Sequence, residues 1–359
     1  MNIDVEKISR IDYLVQDCHS YLSSAPKLHN YFCEDRNLNS WISSIFSRRQ
    51  VIRPGEGFSY IKNGKILRGR YIFSEDDCIY QDSILDESKE LVKKFFVSTT
   101  GVSNLCEHVT VPELPIISIF KNGCQNYGHF LLEIAPKLVN VKSVFPNGVN
   151  LVVPEDAAWS IGIIELICDV IKIKCYIIIC RDDIIYRFRG IYFHTPVSKH
   201  NTEKSITALK LSNFILGEFA NYRKVSENNK VFFSRGPDEK RRVANHKDLE
   251  RVFLDRGWKL FYPGEESFRR QVEVASSASF VAGQMGAGLS NILFSPVNSK
   301  ILMLDNSGYD YFFWDIACLK KLEFHWHYSN HVQMFDYNVL REGFTVDIDS
   351  LCRVLDEYF

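Results

Sequence analysis

The chain has 359 residues, 46% hydrophobic and 24% charged, with a formal net charge of -1. This composition excludes a largely disordered chain, and it gives no footing to a dominant nucleic-acid or anionic-membrane partner. The length suits two domains of ordinary size.

The opening stretch MNIDVEKISRIDYLVQDC carries acids early and has no apolar core, so it is not read as a secretory signal. The most apolar window, 161–180, includes Glu165, Asp169, Lys172 and Lys174, too many charges for a membrane span. Ten cysteines are scattered with no Cys-x-x-Cys pair, and Cys168, Cys175 and Cys180 sit inside apolar runs. They read as reduced core residues of a cytoplasmic protein. Peripheral contact with the inner face of the membrane stays open.

Residues up to about 49 are expected to be loosely helical. From 51 to about 111 the pattern is β-like. Ser59 to Lys62 and Lys65 to Leu67 flank Asn63-Gly64, a pair that tolerates positive φ at both turn positions, so a hairpin is predicted there. From Pro115 strands and helices alternate. A strand over 116–120 precedes a helix capped by Asn126, with Tyr127, Phe130, Leu131, Ile134 and Leu138 on one side. Pro136 must kink or restart that helix. Strands over 151–153 and 175–179 follow, with a helix over 157–168 between them and another over 203–222. The polar stretch 226–229 reads as a domain junction.

The second half is more regular. Strands are predicted over 231–233, 258–262, 279–282 and 301–304. Between them lie a helix capped by Asn245, a helix opened by Ser267, and a turn and helix over 286–294. Strands separated by single helices give right-handed parallel crossovers, hence an α/β fold.

Ligands of open parallel sheets bind beyond the carboxyl ends of the strands. There the sequence places Ser234 and Arg235, then Lys240, Arg241 and Arg242, then Gly283-Gln284-Met285-Gly286-Ala287-Gly288, and finally Asp305. Glycines at a strand-to-helix turn let backbone amides approach a phosphate, guanidinium groups fork onto phosphate oxygens, and a carboxylate accepts from ribose hydroxyls. Together these describe a nucleotide site. Singly, each has a plainer meaning: tight helix–sheet packing, a solvated loop balanced by Asp238 and Glu239, or a helix cap.

In the first half, His129 and Glu133 stand one helical turn apart. An exposed ion pair is the commoner meaning of that spacing, but the Tyr127, Gly128 and Phe130 context argues against a purely exposed face. His325 and His327 share a strand face, with His331 nearby. Phe324, Trp326 and Tyr328 mark that strand as aromatic and buried, no acidic ligand sits at useful spacing, and no metal is expected.

The stretch Asn126-Tyr127-Gly128-His129-Phe130-Leu131-Leu132-Glu133-Ile134-Ala135-Pro136-Lys137-Leu138 resembles a signature of glycosyltransferase family 61. Phe233-Ser234-Arg235, the arginines before Asn245, Gly286-Ala287-Gly288-Leu289-Ser290-Asn291 with Phe294, and the acid Asp305 follow in the family's order. Met285 stands where members usually have His, and Asp305 where they usually have Glu. The resemblance implies a GT-B fold, two Rossmann-like domains facing a cleft. These would be an acceptor-side domain over 1–227 (a β-rich elaboration over 50–111, a Rossmann-like part over 115–225) and a nucleotide-sugar domain over 228–359. It implies inverting, metal-independent transfer from a nucleotide-sugar to a saccharide or lipid-linked saccharide in bacterial capsule or lipopolysaccharide synthesis, with no cofactor. No Asp-x-Asp is read as holding a divalent ion against a diphosphate.

On that basis His129 is the candidate base, with Glu133 as its orienter, and Asn126 and Tyr127 lie on the acceptor side. Ser234, Arg235, Arg241, Arg242, Gly286, Ala287, Gly288, Asn291 and Asp305 are the donor candidates. Two rivals stand beside this reading. A dinucleotide oxidoreductase would carry its glycines after the first strand, where Ser234-Arg235 stand. A non-catalytic nucleotide- or glycan-binding assembly protein descended from a transferase is kept in view by Met285.

Overall fold

The structure is a computed structural model. It describes the chain apart from residues 1–4, 7–10, 48–49, 85–89, 96–105, 109–112, 199–202, 220–227, 236–242, 306–310 and 330–342, and the 5–6 and 106–108 strands only in backbone. The chain divides into two units. One comprises Met1–His19, Ile52–His200 and Lys204–Phe214, and the other Ser20–Val51, Asn201–Glu203 and Ile215–Phe359.

The first unit carries a six-stranded sheet built from β1 (Tyr13–Gln16), β2 (Glu56–Lys62), β5 (Ile116–Ser118), β6 (Val149–Pro154), β7 (Cys175–Cys180) and β9 (Gly190–His194), in the order β7-β6-β5-β9-β2-β1. The strands β7, β6, β5 and β9 are parallel, and β2 and β1 add antiparallel at one edge. Every residue of β6 is buried, as a central parallel strand requires. Helices α1 (Lys137–Val144), α2 (Ile161–Ile171) and α3 (Ile206–Phe219) connect or follow these strands.

A second sheet in this unit contains β3 (Lys65–Leu67), β4 (Tyr71–Phe73) and β8 (Ile185–Arg187). This corrects the predicted hairpin. The strands β2 and β3 do not pair; they belong to different sheets. Together they form one long bent arm that runs antiparallel to β8 and β9. Register is kept from Lys62 opposite Gly190 to Lys65 opposite Arg187. At the bend the Asn63 amide donates to the Arg189 carbonyl (2.9 Å) and the Phe188 amide to the Gly64 carbonyl (3.1 Å). Asn63 takes φ 50°, so the dipeptide's tolerance serves a change of sheet. The tight hairpin comes at Arg68-Gly69, where φ is 53° and 64° and Leu67 pairs with Tyr71. A Cβ on Gly69 would lie 2.7 Å from Pro154 Cα, so glycine is required by conformation and by space.

The second unit holds an all-parallel six-stranded sheet. Its strands are β10 (Lys230–Phe233), β11 (Lys259–Phe261), β12 (Phe280–Gln284), β13 (Lys300–Asp305), β14 (Glu323–Tyr328) and the Lys27–His29 strand, in the order β11-β10-β12-β13-β14-(27–29). Helices α4 (His246–Asp255), α5 (Phe268–Ser277), α6 (Phe312–Lys320) and α7 (Ile348–Tyr358) complete it. Phe232, Leu249, Phe253, Trp258, Leu302 and Leu351 share its core. Counted within this unit, the order is 2-1-3-4-5, which reverses between β10 and β12. Such a reversal opens a crevice at the carboxyl ends of those two strands. The first unit has the same device, with a reversal between β5 and β9.

Among the described residues of the first 49, the expected loosely helical stretch is instead strands at 13–16, 19–22 and 27–29 followed by a helix, Arg36–Phe46. The 13–16 and 27–29 strands pair with segments distant in sequence, 56–58 and 325–327, and no clean local period announces them. The expected 203–222 helix runs from Ile206 to Phe219, and the 226–227 part of the expected junction lies outside the described residues. Asn245 stands before α4, but its side chain pairs with the Val346 backbone and makes no cap bond. No helix among the described residues is long and apolar enough to cross a membrane.

Candidate active site

In the first unit, β5 runs out through buried Ile119 and Phe120 to Lys121, at the crevice beside β9. Asn126, extended at φ -96° and ψ 126°, accepts from the Gly128 amide (2.8 Å) and starts a helical turn over Tyr127–His129. The backbone then widens into a π turn over Phe130–Ile134, closed by the Ala135 amide on the Phe130 carbonyl (2.8 Å). Pro136 has no amide to continue that ladder, and α1 restarts at Lys137.

This junction sets His129 and Glu133 side by side. His129 Nδ1 lies 2.8 Å from Glu133 Oε2, and Lys121 Nζ reaches the same oxygen at 2.8 Å. Glu133 is fully buried and Lys121 nearly so, while the imidazole keeps about a fifth of its surface open. Burial alone would raise the Glu133 carboxyl pKa. The His129 hydrogen bond and the charges of Lys121, His129 and Lys204 outweigh it and hold the group at about 2. An ionised acceptor at this distance makes Nδ1 the protonated ring nitrogen, and the basic lone pair is then on Nε2. Glu133 Oε1 is buried with no hydrogen-bond partner among the described residues. As the Tyr127, Gly128 and Phe130 context suggested, the pair is not a purely exposed one: it belongs to a largely buried triad of Lys121, Glu133 and His129.

Sequence reasoning missed the cations behind it. Lys137 is fully buried, donates to the Ile119 carbonyl (2.7 Å), and is pushed down to about 7, first by burial and then by the Lys121 charge, against the pull of Glu133 and Glu56. Deeper still, Asn140 Nδ2 meets His194 Nε2 (2.9 Å), and Glu56 accepts from Thr207 (2.9 Å). Lys121 stands directly after the 116–120 run and Lys137 inside the motif already quoted, but nothing in the sequence marks either as buried.

In the second unit, Ser234 and Arg235 follow β10 and the glycine turn follows β12, so both lie at the crevice where the strand order reverses. Arg235 Nη1 donates to the Met285 carbonyl (3.3 Å), and a Cβ on Gly286 would lie 1.9 Å from that nitrogen. Gly286 is extended, so the glycine is demanded by the guanidinium resting on it. Ala287 begins a 3₁₀ segment ending at Phe294, and Gly288 sits against Pro263, where a Cβ would be 3.1 Å from Cγ. Met285 is buried, as part of the core.

The other donor candidates have protein partners. Ser234 Oγ donates to Glu250 (2.8 Å), which also accepts from Tyr262 (2.7 Å) and lies 3.0 Å from His246. Asn291 is buried and donates to Gln271 (2.7 Å) and the Gly288 carbonyl (3.0 Å). Asp305 is buried and accepts from the Trp326 indole (2.9 Å). Arg241 and Arg242 lie outside the described residues. The structure therefore brings Arg235 and the glycine turn together and sets Asn291 and Asp305 into the packing behind them.

His325 bonds His29 (2.9 Å) and Glu323 (2.9 Å), His327 bonds Ser350 (3.2 Å), and His331 lies outside the described residues. The one Asp-x-Asp of the sequence, Asp347-Ile348-Asp349, starts α7, with Asp347 accepting from the Ser350 amide (3.0 Å). Among the described residues no three His, Cys, Asp or Glu side chains converge as a metal site.

A family model described as Glycosyltransferase 61 matches residues 127–302, from the His129 turn through the glycine turn into β13. That match places the chain in glycosyltransferase family 61. No curated protein matches the sequence. In this family 61 chain His129, Glu133, Lys137, Arg235 and the glycine turn fall within the matched segment, and Lys121, Asn126 and Asp305 lie just outside it.

Proposed function

We propose that this glycosyltransferase moves a sugar from a nucleotide-sugar to a hydroxyl of a saccharide or lipid-linked saccharide, with inversion and without a metal or other cofactor. A GT-B plan and a cytoplasmic role in bacterial capsule or lipopolysaccharide synthesis belong to the same proposal. The observation that carries it is the His129–Glu133–Lys121 triad, an imidazole oriented by a buried carboxylate that stays ionised.

In the reaction, His129 Nε2 takes the proton of the acceptor hydroxyl as its oxygen attacks the anomeric carbon. The bond from that carbon to the phosphate oxygen breaks, and the nucleoside diphosphate leaves. Glu133 stabilises the imidazolium that forms, and Arg235 with the amides of the Gly286–Gly288 turn receives the charge on the departing phosphate.

Proton NMR of the first-formed product gives the anomeric configuration. Inversion relative to the donor, at a rate unaffected by exhaustive chelation, supports the reading. Retention, or activity lost to chelation and restored by manganese or magnesium, would overturn it.

A further inference from the structure

The transfer chemistry above uses His129, Glu133 and Lys121, and leaves a second buried polar cluster of the first unit without a role. Arg70 belongs to the hairpin between β3 and β4, whose Gly69 is pressed against Pro154, the last residue of β6. That contact sets the hairpin at the carboxyl end of β6. From there Arg70, 2% exposed, reaches the segments that follow β5 and β6. Its Nη1 donates to Cys124 Sγ (2.8 Å), and its Nη2 donates to the Asp156 carboxylate. Cys124 in turn donates to Asp156 Oδ1 (3.6 Å), and the Gln125 side chain donates to the same carboxylate. Burial, the largest influence on it, pushes the Cys124 thiol up to about 12, so it stays a neutral donor.

Cys124 and Gln125 are the middle of the 121–126 loop, and both ends of that loop hold the candidate base. At one end Lys121 pairs with Glu133 (2.8 Å), whose carboxylate fixes Nδ1 of His129. At the other, the Asn126 side chain caps the helical turn that carries His129, and the Asn126 amide donates to the Gly123 carbonyl (2.9 Å). Gly123 takes φ 83°, in the left-handed region. A Cβ there would lie 3.4 Å from Cγ and Cδ2 of His129 and 3.7 Å from Nε2. The Gly123 backbone therefore borders the side of the ring that carries the basic nitrogen.

A buried guanidinium offers its donors as a rigid fork, which fixes the groups that accept from it. Here one fork ties together the 67–71 hairpin, the 121–126 loop and the turn Glu155–Ser160, three segments far apart in sequence. We infer that Arg70 and Asp156 are positioning residues: through Cys124 and Gln125 they hold the 121–126 loop in the shape that aims His129 Nε2 at the acceptor hydroxyl. This rests on the proposed role of His129 as base and extends it to the groups that set the ring. A displacement of about 1 Å at reacting groups costs on the order of 10²-fold in rate.

The test uses the full chain and two readouts. Long-range proton–nitrogen NMR spectra of histidine-labelled protein show which ring nitrogen carries the proton, with the His129 signals assigned by their loss in His129→Ala. Wild type should show one His129 tautomer, protonated at Nδ1, and folded Arg70→Gln and Asp156→Asn should each show a second. Asp156→Asn is isosteric at a side chain 26% exposed, so it carries the test if Arg70→Gln does not fold. With a nucleotide-sugar that wild type cleaves, acceptor-dependent kcat should fall about ten-fold or more in both variants, with the donor KM near normal. Cys124→Ala should fall likewise, and Cys124→Ser, which keeps an acceptor for Arg70 and a donor for Asp156, should recover most of the loss. In the His129→Ala background, Arg70→Gln should add less than about a two-fold loss, because the pair acts through that ring. Unchanged His129 spectra, or wild-type turnover, in folded Arg70→Gln and Asp156→Asn would overturn the inference. So would losses that multiply in the His129→Ala background, which would make the pair structural only. A His129→Ala variant with the full acceptor-dependent rate would strike the base reading itself; the spectra, which need neither donor nor acceptor, still decide whether the pair sets the ring.

Discussion

Replacing Glu133 by Gln probes the buried triad most sharply, because its carboxylate holds the Lys121 ammonium and the His129 ring at once. The fall of this carboxyl from 4.5 to about 2 corresponds to on the order of 3 kcal/mol of native-state interaction. As the group is lowered on folding, that contribution is present above about pH 4.5 and is lost as the pH falls through 2. Glu133→Gln removes the negative charge that faces the Lys121 ammonium, which is 4% exposed. Breaking a buried pair from one side costs about 3–5 kcal/mol. Lys121→Met should cost less, because Glu133 still faces His129. The double variant Lys121→Met/Glu133→Gln should then recover about 1–3 kcal/mol relative to the sum of the single changes. Equilibrium urea unfolding at neutral pH measures all three. A Glu133→Gln loss below about 1 kcal/mol, or strict additivity in the cycle, would refute the buried ion-pair account.

Further outcomes follow from the same geometry. His129→Ala should lower turnover about 10²–10⁴-fold with donor affinity near normal, and more than Glu133→Gln does, since the amide still orients the ring; a lower melting temperature with normal turnover of the folded fraction would make His129 a packing residue only. Arg235→Ala should weaken nucleotide-donor binding by about 1.5–3 kcal/mol; Gly286→Ala, which places a methyl on that guanidinium, should weaken it too, and calorimetry showing wild-type affinity for both would remove the glycine turn from the donor site. His194 is pushed from 6.5 to about 3, first by burial and then by the Lys137 charge. The unfolded ring takes up a proton that the native ring refuses, so stability declines as the pH drops below about 6.5, by on the order of 2 kcal/mol at pH 5. Urea unfolding of His194→Gln should show a flatter pH dependence than wild type, and equal slopes would contradict the assignment.

The second-half strands were legible because buried parallel strands are short, unbroken apolar runs: Val231 to Phe233 and Ile301 to Leu304 were placed within a residue or so. The Asn126 cap and the break at Pro136 were legible for a local reason, the fixed chemistry of those side chains. Asn63-Gly64 misled because a local conformational preference does not say which strand will be the partner; the ladder with 185–194 decided that, and Arg68-Gly69 made the hairpin. At the candidate site, His129 and Glu133 could be paired from their spacing. Lys121 and Lys137 could not be told from solvated lysines, because only the tertiary fold buries them. Asp305 was read as a group facing a ligand, but the indole that takes it up, Trp326, lies on the next strand, and no sequence spacing announces that contact.

The most direct test of the transferase reading is chromatographic detection of nucleotide released from a panel of nucleotide-sugars in the presence of chelator. Wild type, Arg235→Ala and His129→Ala would be compared, with and without acceptor. The account predicts that wild type cleaves at least one donor, that acceptor raises the rate, that Arg235→Ala loses donor binding, and that His129→Ala keeps binding but loses the acceptor-dependent rate. A folded wild-type protein that releases no nucleotide from any donor, or a His129→Ala variant with the full acceptor-dependent rate, would contradict it.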